Sequence, residues 1–307
     1  MEGGMMEHFK ADVNSKLVAF IGNPLDHSVA AKAHNALYSY YGINAVYFPF
    51  TLEENELSDF IAAAKLLHIP GFGITMPFKN KILKYIDDAE EAAKAFNCVN
   101  QVTIGKDGST YGYSTDGFGM CQAIENTGFK IQGKEVMVLG AGAIGSIIGY
   151  ELGRRGATKI IFFNRTVEKA ESIARKIHEL TGSVTECRSF IPEEFSKAAA
   201  TAGLVVQCTS LGMFGTTKNY QSLDFIDLLV ADSLVADAVY NPWRTSILAK
   251  AEKRGLTVIN GIPMLIEQLT KNLEYNIGFN GMDRKGLEFA EKCMCDALEE
   301  YGAIHKG

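Results

Sequence analysis

Val136-Met137-Val138-Leu139-Gly140-Ala141-Gly142-Ala143-Ile144-Gly145 decides the fold of this chain. An apolar strand runs straight into G-x-G-x-x-G, and a helix-forming run, 146–152, follows. Glycines at those offsets set backbone N–H groups and a helix N-terminus against a pyrophosphate. Gly140 permits the tight turn, Gly142 lets phosphates approach the main chain, and Gly145 is expected to let the helix pack closely on its strand. The motif begins at position 140, so a whole unit must precede it.

A second apolar run, 159–163, comes at βαβ spacing and ends in Asn164-Arg165-Thr166, with Lys169 close behind. NAD enzymes typically carry an acid about 20 residues beyond the glycines, on the ribose 2′-hydroxyl. No Asp or Glu ends this strand. A guanidinium there can stack on an adenine and pair with a 2′-phosphate, so the predicted cofactor is NADP.

Working outward, the second unit reads as strands at 135–139, 159–163, 184–188, 204–208, 234–238 and 256–259, with helices between most of them and a long connection at 210–233. That rhythm predicts an α/β fold with a parallel, doubly wound Rossmann sheet. The first part also alternates: strands at 17–22, 45–51 and 71–76, helices at 28–41 and 57–67, a Lys- and Ala-rich helix beyond Pro77, then a hairpin at 100–104 and 110–114. The stretch 262–303 reads as helical and long enough to return to the first unit. The expected division is a substrate domain at 1–116, joined by C-terminal helices at 265–307, and an NADP domain at 117–264.

Composition bounds the rest. The chain has 307 residues, 47% of them apolar, enough for two sizeable cores, and a net charge of −6. A basic face for nucleic acid is not expected. No apolar run reaches the roughly 18 residues of a membrane span, and residues 1–10 read as a loose tail rather than a signal peptide. Six cysteines without a C-x-x-C pair fit reduced, inert thiols in a cytoplasmic protein. The histidines show no metal-ligand spacing, and no metal is predicted.

Reducing a ketone leaves an alkoxide, so a cation or acid must meet that oxygen. Thr75-Met76-Pro77-Phe78-Lys79 puts a lysine just beyond a strand end, and Asp116 sits in a turn after a later one. Such strand ends converge on one crevice. A lysine with a free pKa of about 10.4 is a ready acid near neutrality, and a nearby aspartate raises it further. A surface ion pair fits the same spacing.

The chain resembles the shikimate/quinate dehydrogenases along nearly its whole length. Gly22-Asn23-Pro24-Leu25-Asp26-His27-Ser28 is similar to the family's substrate loop and Thr75-Met76-Pro77-Phe78-Lys79 to its T-V-P-F-K. Val99-Asn100, Ser114-Thr115-Asp116-Gly117, Gly140-Ala141-Gly142 and Asn164-Arg165-Thr166 are similar to A-V-N, N-T-D-G, G-A-G and N-R-T. Cys208 to Met213, Asp237 to Pro242, and Gly261 to Leu265 with Gln268 resemble A-T-S-x-G-M, D-x-x-Y-x-P and G-x-x-M-L-x-x-Q.

The resemblance implies an NADP-linked interconversion of 3-dehydroshikimate and shikimate by a monomer or homodimer. Lys79 and Asp116 would be the catalytic pair, and Ser28, Thr75, Asn100, Tyr240 and Gln268 would hold a small ring carboxylate. The turn residues Gly140, Ala141, Gly142, Ala143, Ile144 and Gly145 would hold the cofactor with Asn164, Arg165, Thr166 and Lys169. Thr209, Met213, Gly261 and Met264 would lie along it, Met264 near the nicotinamide.

Two departures stand on the substrate side. The family's S-x-S-P is here Ser28-Val29-Ala30-Ala31, which removes a hydroxyl from the carboxylate site. Its N-V-T is here Gly73-Ile74-Thr75, which removes an asparagine that contacts substrate. A hydrogen bond to a charged group contributes about 1.5–3 kcal/mol, so losing one weakens binding roughly 10- to 100-fold unless another donor compensates. Lys32 or His34 is near enough in sequence to compensate, although both also suit a helix surface. His27 beside Ser28 makes no nucleophile pair, because adjacent residues seldom face each other. The alternatives are a paralogue acting on quinate, an aminated analogue or another ring acid, and a non-catalytic NADP-binding regulatory protein.

Overall fold

The structure, a computed structural model, describes residues 12–25 and 28–300. The expected tail at 1–10 and residues Asp26 and His27 of the substrate loop lie outside them. Two six-stranded sheets organise the chain.

The first sheet is mixed. Its elements in chain order are β1 (Lys16–Gly22), α1 (Ala30–Tyr40), β2 (Ala45–Thr51), α2 (Leu57–Leu66), β3 (Gly71–Ile74), β4 (Asp88–Ala89), α3 (Glu91–Phe96), β5 (Gln101–Ile104) and β6 (Thr110–Tyr113). The strand order is β2-β1-β3-β5-β6-β4. Strands β1, β2 and β3 run parallel, and β5 pairs antiparallel with both β3 and β6. Connections leave in opposite directions from β1 and β3, which makes a switch point between their C-terminal ends. The antiparallel pair brings the start of β5 and the end of β6 to that same edge, with Gln101 opposite both Gly73 and Tyr113.

The second sheet is wholly parallel. It comprises β7 (Glu135–Leu139), β8 (Lys159–Asn164), β9 (Val184–Ser189), β10 (Leu204–Gln207), β11 (Leu234–Asp237) and β12 (Thr257–Ile259) in the order β12-β11-β10-β7-β8-β9. Helices α4 (Asp116–Asn126), α5 (Ala143–Arg154), α6 (Val167–Thr181), α7 (Pro192–Ala199) and α8 (Ser246–Lys253) accompany it. Its switch point falls between β7 and β10. The central strands β7, β8, β10 and β11 are mostly apolar because both their faces are buried, whereas the edge strand β9 carries Thr185, Glu186 and Arg188. Val136 and Val138 enter one core, and Met137 and Leu139 enter the other.

Helices α9 (Gly261–Ile277) and α10 (Arg284–Glu300) return to the first sheet. Ile262, Ile266, Leu269 and Leu273 from α9, with Ala290, Met294 and Leu298 from α10, share a core with Val18, Phe20 and Tyr47 of β1 and β2. The expected single helical stretch is two helices. Gly278 adopts a left-handed φ of +74° and ends α9, a conformation glycine reaches without a Cβ clash. Helix α1 starts at Ala30 rather than Ser28. The segment after Pro77 holds a single 3-10 turn, Ile82–Lys84, and the two-residue strand β4 before α3. No helix among the described residues is long and apolar enough to cross a membrane.

Candidate active site

Lys79 lies in the turn beyond β3, and Asp116 opens α4 just after β6. The Lys79 ammonium donates to Asp116 Oδ2 at 2.7 Å, and the two side chains are 17% and 2% exposed. Burial pulls the Lys79 pKa down. The Asp116 carboxylate opposes it directly, with weaker fields from Cys98 and Tyr240, and the sum leaves the ammonium above its ordinary value. The lysine is therefore charged at neutral pH.

Asn100, between α3 and β5, orients the carboxylate. Its amide donates to Asp116 Oδ1 at 3.0 Å and to Thr115 Oγ1 at 2.9 Å, and its carbonyl accepts from Thr115 N–H at 2.8 Å. Gln268 of α9 reaches this cluster, its Oε1 lying 3.4 Å from the Asn100 amide. Gly119 makes that approach possible, because a Cβ there would overlap the Met264 carbonyl and lie 2.8 Å from Gln268 Cγ. The Gln268 amide nitrogen is buried without a partner. Buried donors of this kind are expected to meet a ligand or water.

Thr75 continues the β3 ladder, its N–H donating to the Ile21 carbonyl at 2.9 Å. Tyr240, beyond β11 of the parallel sheet, is near enough to Lys79 for each to perturb the other's ionisation. The cleft is thus bounded by residues from both sheets. Ser28 precedes α1, with its hydroxyl accepting from Ala30 N–H at 3.3 Å. Lys32 is drawn away to an exposed ion pair with Glu300. His34 corrects the surface reading: it is 2% exposed, and burial pulls its pKa to about 4. A neutral ring cannot be the cation that replaces the missing hydroxyl.

On the other side, Gly140 has φ +111°, and a Cβ there would lie 2.7 Å from Thr209 Cγ2. The space at Gly142, the N-cap of α5, is open. That leaves the first turn of the helix, with Ala143 exposed and Ile144 half-buried, open to an anion, while Gly145 is buried behind it. The reason for Gly145 differs from the expected helix–strand packing. A Cβ there would overlap the Gly140 carbonyl, so the glycine preserves the turn itself. Helix–strand closeness instead rests on Gly149, whose Cβ position is 3.0 Å from Phe162 Cε1. Asn164 ties the turn to the next loop, its Oδ1 3.5 Å from Ala141 N and its amide donating to the Thr166 carbonyl at 2.7 Å. Arg165, Thr166 and Lys169 are exposed at that corner. An open glycine cradle beside two cations, with no acid at the strand end, fits a dinucleotide carrying a 2′-phosphate.

Thr209 is held by Gln207, which sequence reasoning missed. Gln207 Oε1 accepts from Thr209 N–H at 2.5 Å and from its hydroxyl at 2.7 Å. The signal was a fully buried polar residue closing the apolar strand L-V-V-Q. Met264 is buried and Met213 is 38% exposed. Gly261 begins α9, where a Cβ would overlap the Ala238 carbonyl. Among the described residues no side-chain cluster is arranged to hold a metal.

Burial pushes the Asp237 carboxyl up to about 7, against hydrogen bonds from the Thr245 hydroxyl at 2.6 Å and Val239 N–H at 2.8 Å. Its folded pKa exceeds the unfolded value of about 3.9, so the stability it lends is full below that value and lost as pH rises through about 7. Asp237→Asn removes the charge, keeps an acceptor for Val239 N–H and turns an amide donor to the Thr245 hydroxyl oxygen. Its thermal midpoint is expected to change less between pH 5 and 8 than that of wild type, with a relative gain of up to ~3 kcal/mol across that range. Parallel pH profiles of the two proteins would refute this account.

A cavity of about 500 Å³ is lined by Glu90, Tyr113, Phe118, Glu151, Arg154 and Tyr275, together with Ser114, Thr115 and Gly117 on either side of Asp116. Arg154 pairs with Glu151 there, and Lys79 is not among its lining residues.

A glycine turn at the switch point of one sheet and a buried ammonium–carboxylate pair at the edge of the other define a dinucleotide-dependent oxidoreductase. Residues 20–102 match the shikimate dehydrogenase substrate binding domain, and residues 122–228 match the shikimate / quinate 5-dehydrogenase family. The chain belongs to the shikimate dehydrogenase family. It is 34% identical to shikimate dehydrogenase (NADP(+)) of Alkaliphilus oremlandii over 83% of this chain and 88% of that one. A structure of shikimate 5-dehydrogenase from Listeria monocytogenes in complex with shikimate and NAD superposes with a TM-score of 0.85 at 27% identity, covering 92% and 97% of the two chains. The ligand-free 5-ketofructose reductase of Gluconobacter sp. strain CHM43 gives 0.81 at 27% identity over 94% and 100%.

Proposed function

We propose that this protein catalyses the NADP-linked interconversion of 3-dehydroshikimate and shikimate. The buried Lys79–Asp116 pair, on the side of the cleft away from an open glycine cradle, is the observation that carries the reading. In this reading residues 1–116 and 265–307 form the substrate domain and 117–264 the NADP domain. The enzyme acts in the cytoplasm as a monomer or homodimer, on a small ring carboxylate and without nucleic acid or membrane partners.

When bound, the nicotinamide gives or takes the hydride at a ring carbon. The chain's own residues manage the oxygen and the ring. Lys79 Nζ meets the carbonyl oxygen and gives it a proton as it becomes a hydroxyl. Asp116 holds the ammonium and accepts from the neighbouring ring hydroxyl, with Asn100 fixing the carboxylate. The unpartnered Gln268 amide donates to a further hydroxyl, and Thr75, Ser28 and Tyr240 complete the wall. Arg165 and Lys169 would hold the 2′-phosphate. Thr166, Thr209, Met213, Gly261 and Met264 line the rest of the cofactor site.

Purified protein supplied with NADP and shikimate is expected to generate reduced cofactor. Ala30 and Gly73 favour a second reading, a paralogue preferring quinate, an aminated analogue or another hydroxylated ring acid. Catalytic efficiency measured side by side on these compounds separates the two. Cofactor binding with no turnover of any ring acid in either direction would instead support a regulatory NADP-binding protein.

A further inference from the structure

The cavity whose wall includes both neighbours of Asp116 has no part in the chemistry above. At about 500 Å³ it falls in the size range of small-molecule sites. Its walls come from both halves of the chain. Glu90, just before α3, and Tyr113 of β6 belong to the first sheet, and Tyr150 and Glu151 belong to α5 of the second. Phe118 of α4 and Tyr275 of α9 complete it.

Much of that wall is aromatic. The Tyr113 and Tyr275 rings stack, with centroids 4.0 Å apart and planes within 16°. Ring faces of this kind carry negative potential. The Lys271 ammonium already lies over Phe118 at 5.5 Å and over Tyr275 at 5.9 Å, so the wall accepts a cation.

The charges decide what the remaining space would take. Each cation that lines it is paired: Arg154 with Glu151 at 3.1 Å, Arg155 with Glu151 and Glu125, and Lys271 with Glu274 at 2.9 Å. Glu90 is different. Its carboxylate accepts from Ser114 N–H at 2.7 Å and, among the described residues, pairs with no lysine or arginine. Burial lifts this carboxyl above its ordinary value, against the Ser114 N–H, and the Glu151 carboxylate adds to the rise. Its field also reaches Tyr275, whose phenol is pushed up to about 12 by burial and then by Glu90. A half-buried acid short of a cation, set among ring faces, is best satisfied by an ammonium.

We propose that this cavity binds a small organic ammonium compound, its charged end on Glu90 and its apolar body against the Tyr113 and Tyr275 rings, and that occupancy alters turnover through Asp116. Thr115 and Gly117 carry the link, because both line the cavity. A Cβ at Gly117 would lie 2.6 Å from the Ile147 carbonyl, so α4 meets α5 there without slack. An occupant that touches both helices therefore bears on the first turn of α4, where Asp116 sits. The binding site is independent of the ring-acid reading, whereas the effect on turnover rests on it.

Calorimetric titration of the full chain with phenethylammonium chloride is expected to show one saturable site. Hydrocinnamate, a similar body with a carboxylate in place of the ammonium, should bind about 10-fold more weakly or less. Glu90→Gln keeps an acceptor for Ser114 N–H and removes the charge. It should weaken the ammonium probe about 10-fold, with the thermal midpoint and the probe-free turnover unchanged. Saturating probe should lower kcat for the ring acid severalfold and leave both KM values nearly unchanged. Titration without saturation, equal affinity for hydrocinnamate, or unchanged affinity in Glu90→Gln overturns the site. Displacement of the probe by shikimate or NADP also overturns it, by placing the probe in the catalytic cleft. An active wild type whose kcat is unmoved by saturating probe overturns the link to Asp116. A wild type that turns over no ring acid overturns the reading of the catalytic cleft, and the titrations still decide this site.

Discussion

Replacing Lys79 by methionine is expected to lower kcat for ring-acid turnover about 10³-fold, within the range of a lost general acid, while the dissociation constant for NADP stays within twofold. Methionine keeps most of the length and removes the charge. The Asp116 side chain, 2% exposed, is then left with Asn100 and no cation. Breaking a buried pair by removing one partner costs about 3–5 kcal/mol, so the thermal midpoint should fall too. The double variant Lys79→Met/Asp116→Asn removes both charges and should regain stability without regaining activity. Recovery of turnover in the double variant would show that the single loss came from misfolding. The wild-type pH profile carries a linked sign. Lys79 is held charged, so ring-acid oxidation, which needs a neutral acceptor at Nζ, should quicken as pH rises from neutrality towards the lysine pKa. Ketone reduction, which uses the ammonium, should not.

The second large effect concerns the cofactor. Arg165→Ala/Lys169→Ala should cut kcat/KM with NADP about 100-fold and leave NAD-supported turnover nearly unchanged. Each charge-assisted hydrogen bond to the 2′-phosphate contributes about 1.5–3 kcal/mol in a protected site. Both side chains are exposed here, so solvent screening reduces that contribution. For the same reason added salt should weaken NADP use in wild type more than in the variant. Equal losses with both cofactors would place the two cations outside the 2′-phosphate site.

Much of this was legible in the sequence because the information is local. The central strands of the parallel sheet are mostly apolar runs, and the glycine turn fixes its offsets within six residues. Lys79 and Asp116 each close a strand at an edge that topology makes common. What escaped depends on contacts between distant segments. The reason for Gly145 lies in a carbonyl brought over it by the turn, and Gln207 works by folding its side chain onto the loop that follows. His34 has the polarity of a surface residue and the burial of a core one because a tyrosine from β2 stacks on it. The substrate side was therefore the less readable half.

The return of α9 and α10 to the first sheet has a consequence for how the chain is built on the ribosome. Val18, Phe20, Leu37 and Tyr47 are made early, yet their covering comes from residues 262–298. Until those emerge, that apolar face stays open to water and to chaperones, and the parallel sheet between them can form first. The early segment is thus finished last, by a loop closure spanning most of the chain. Chains arrested before α9 should keep the glycine cradle and lack a settled substrate side.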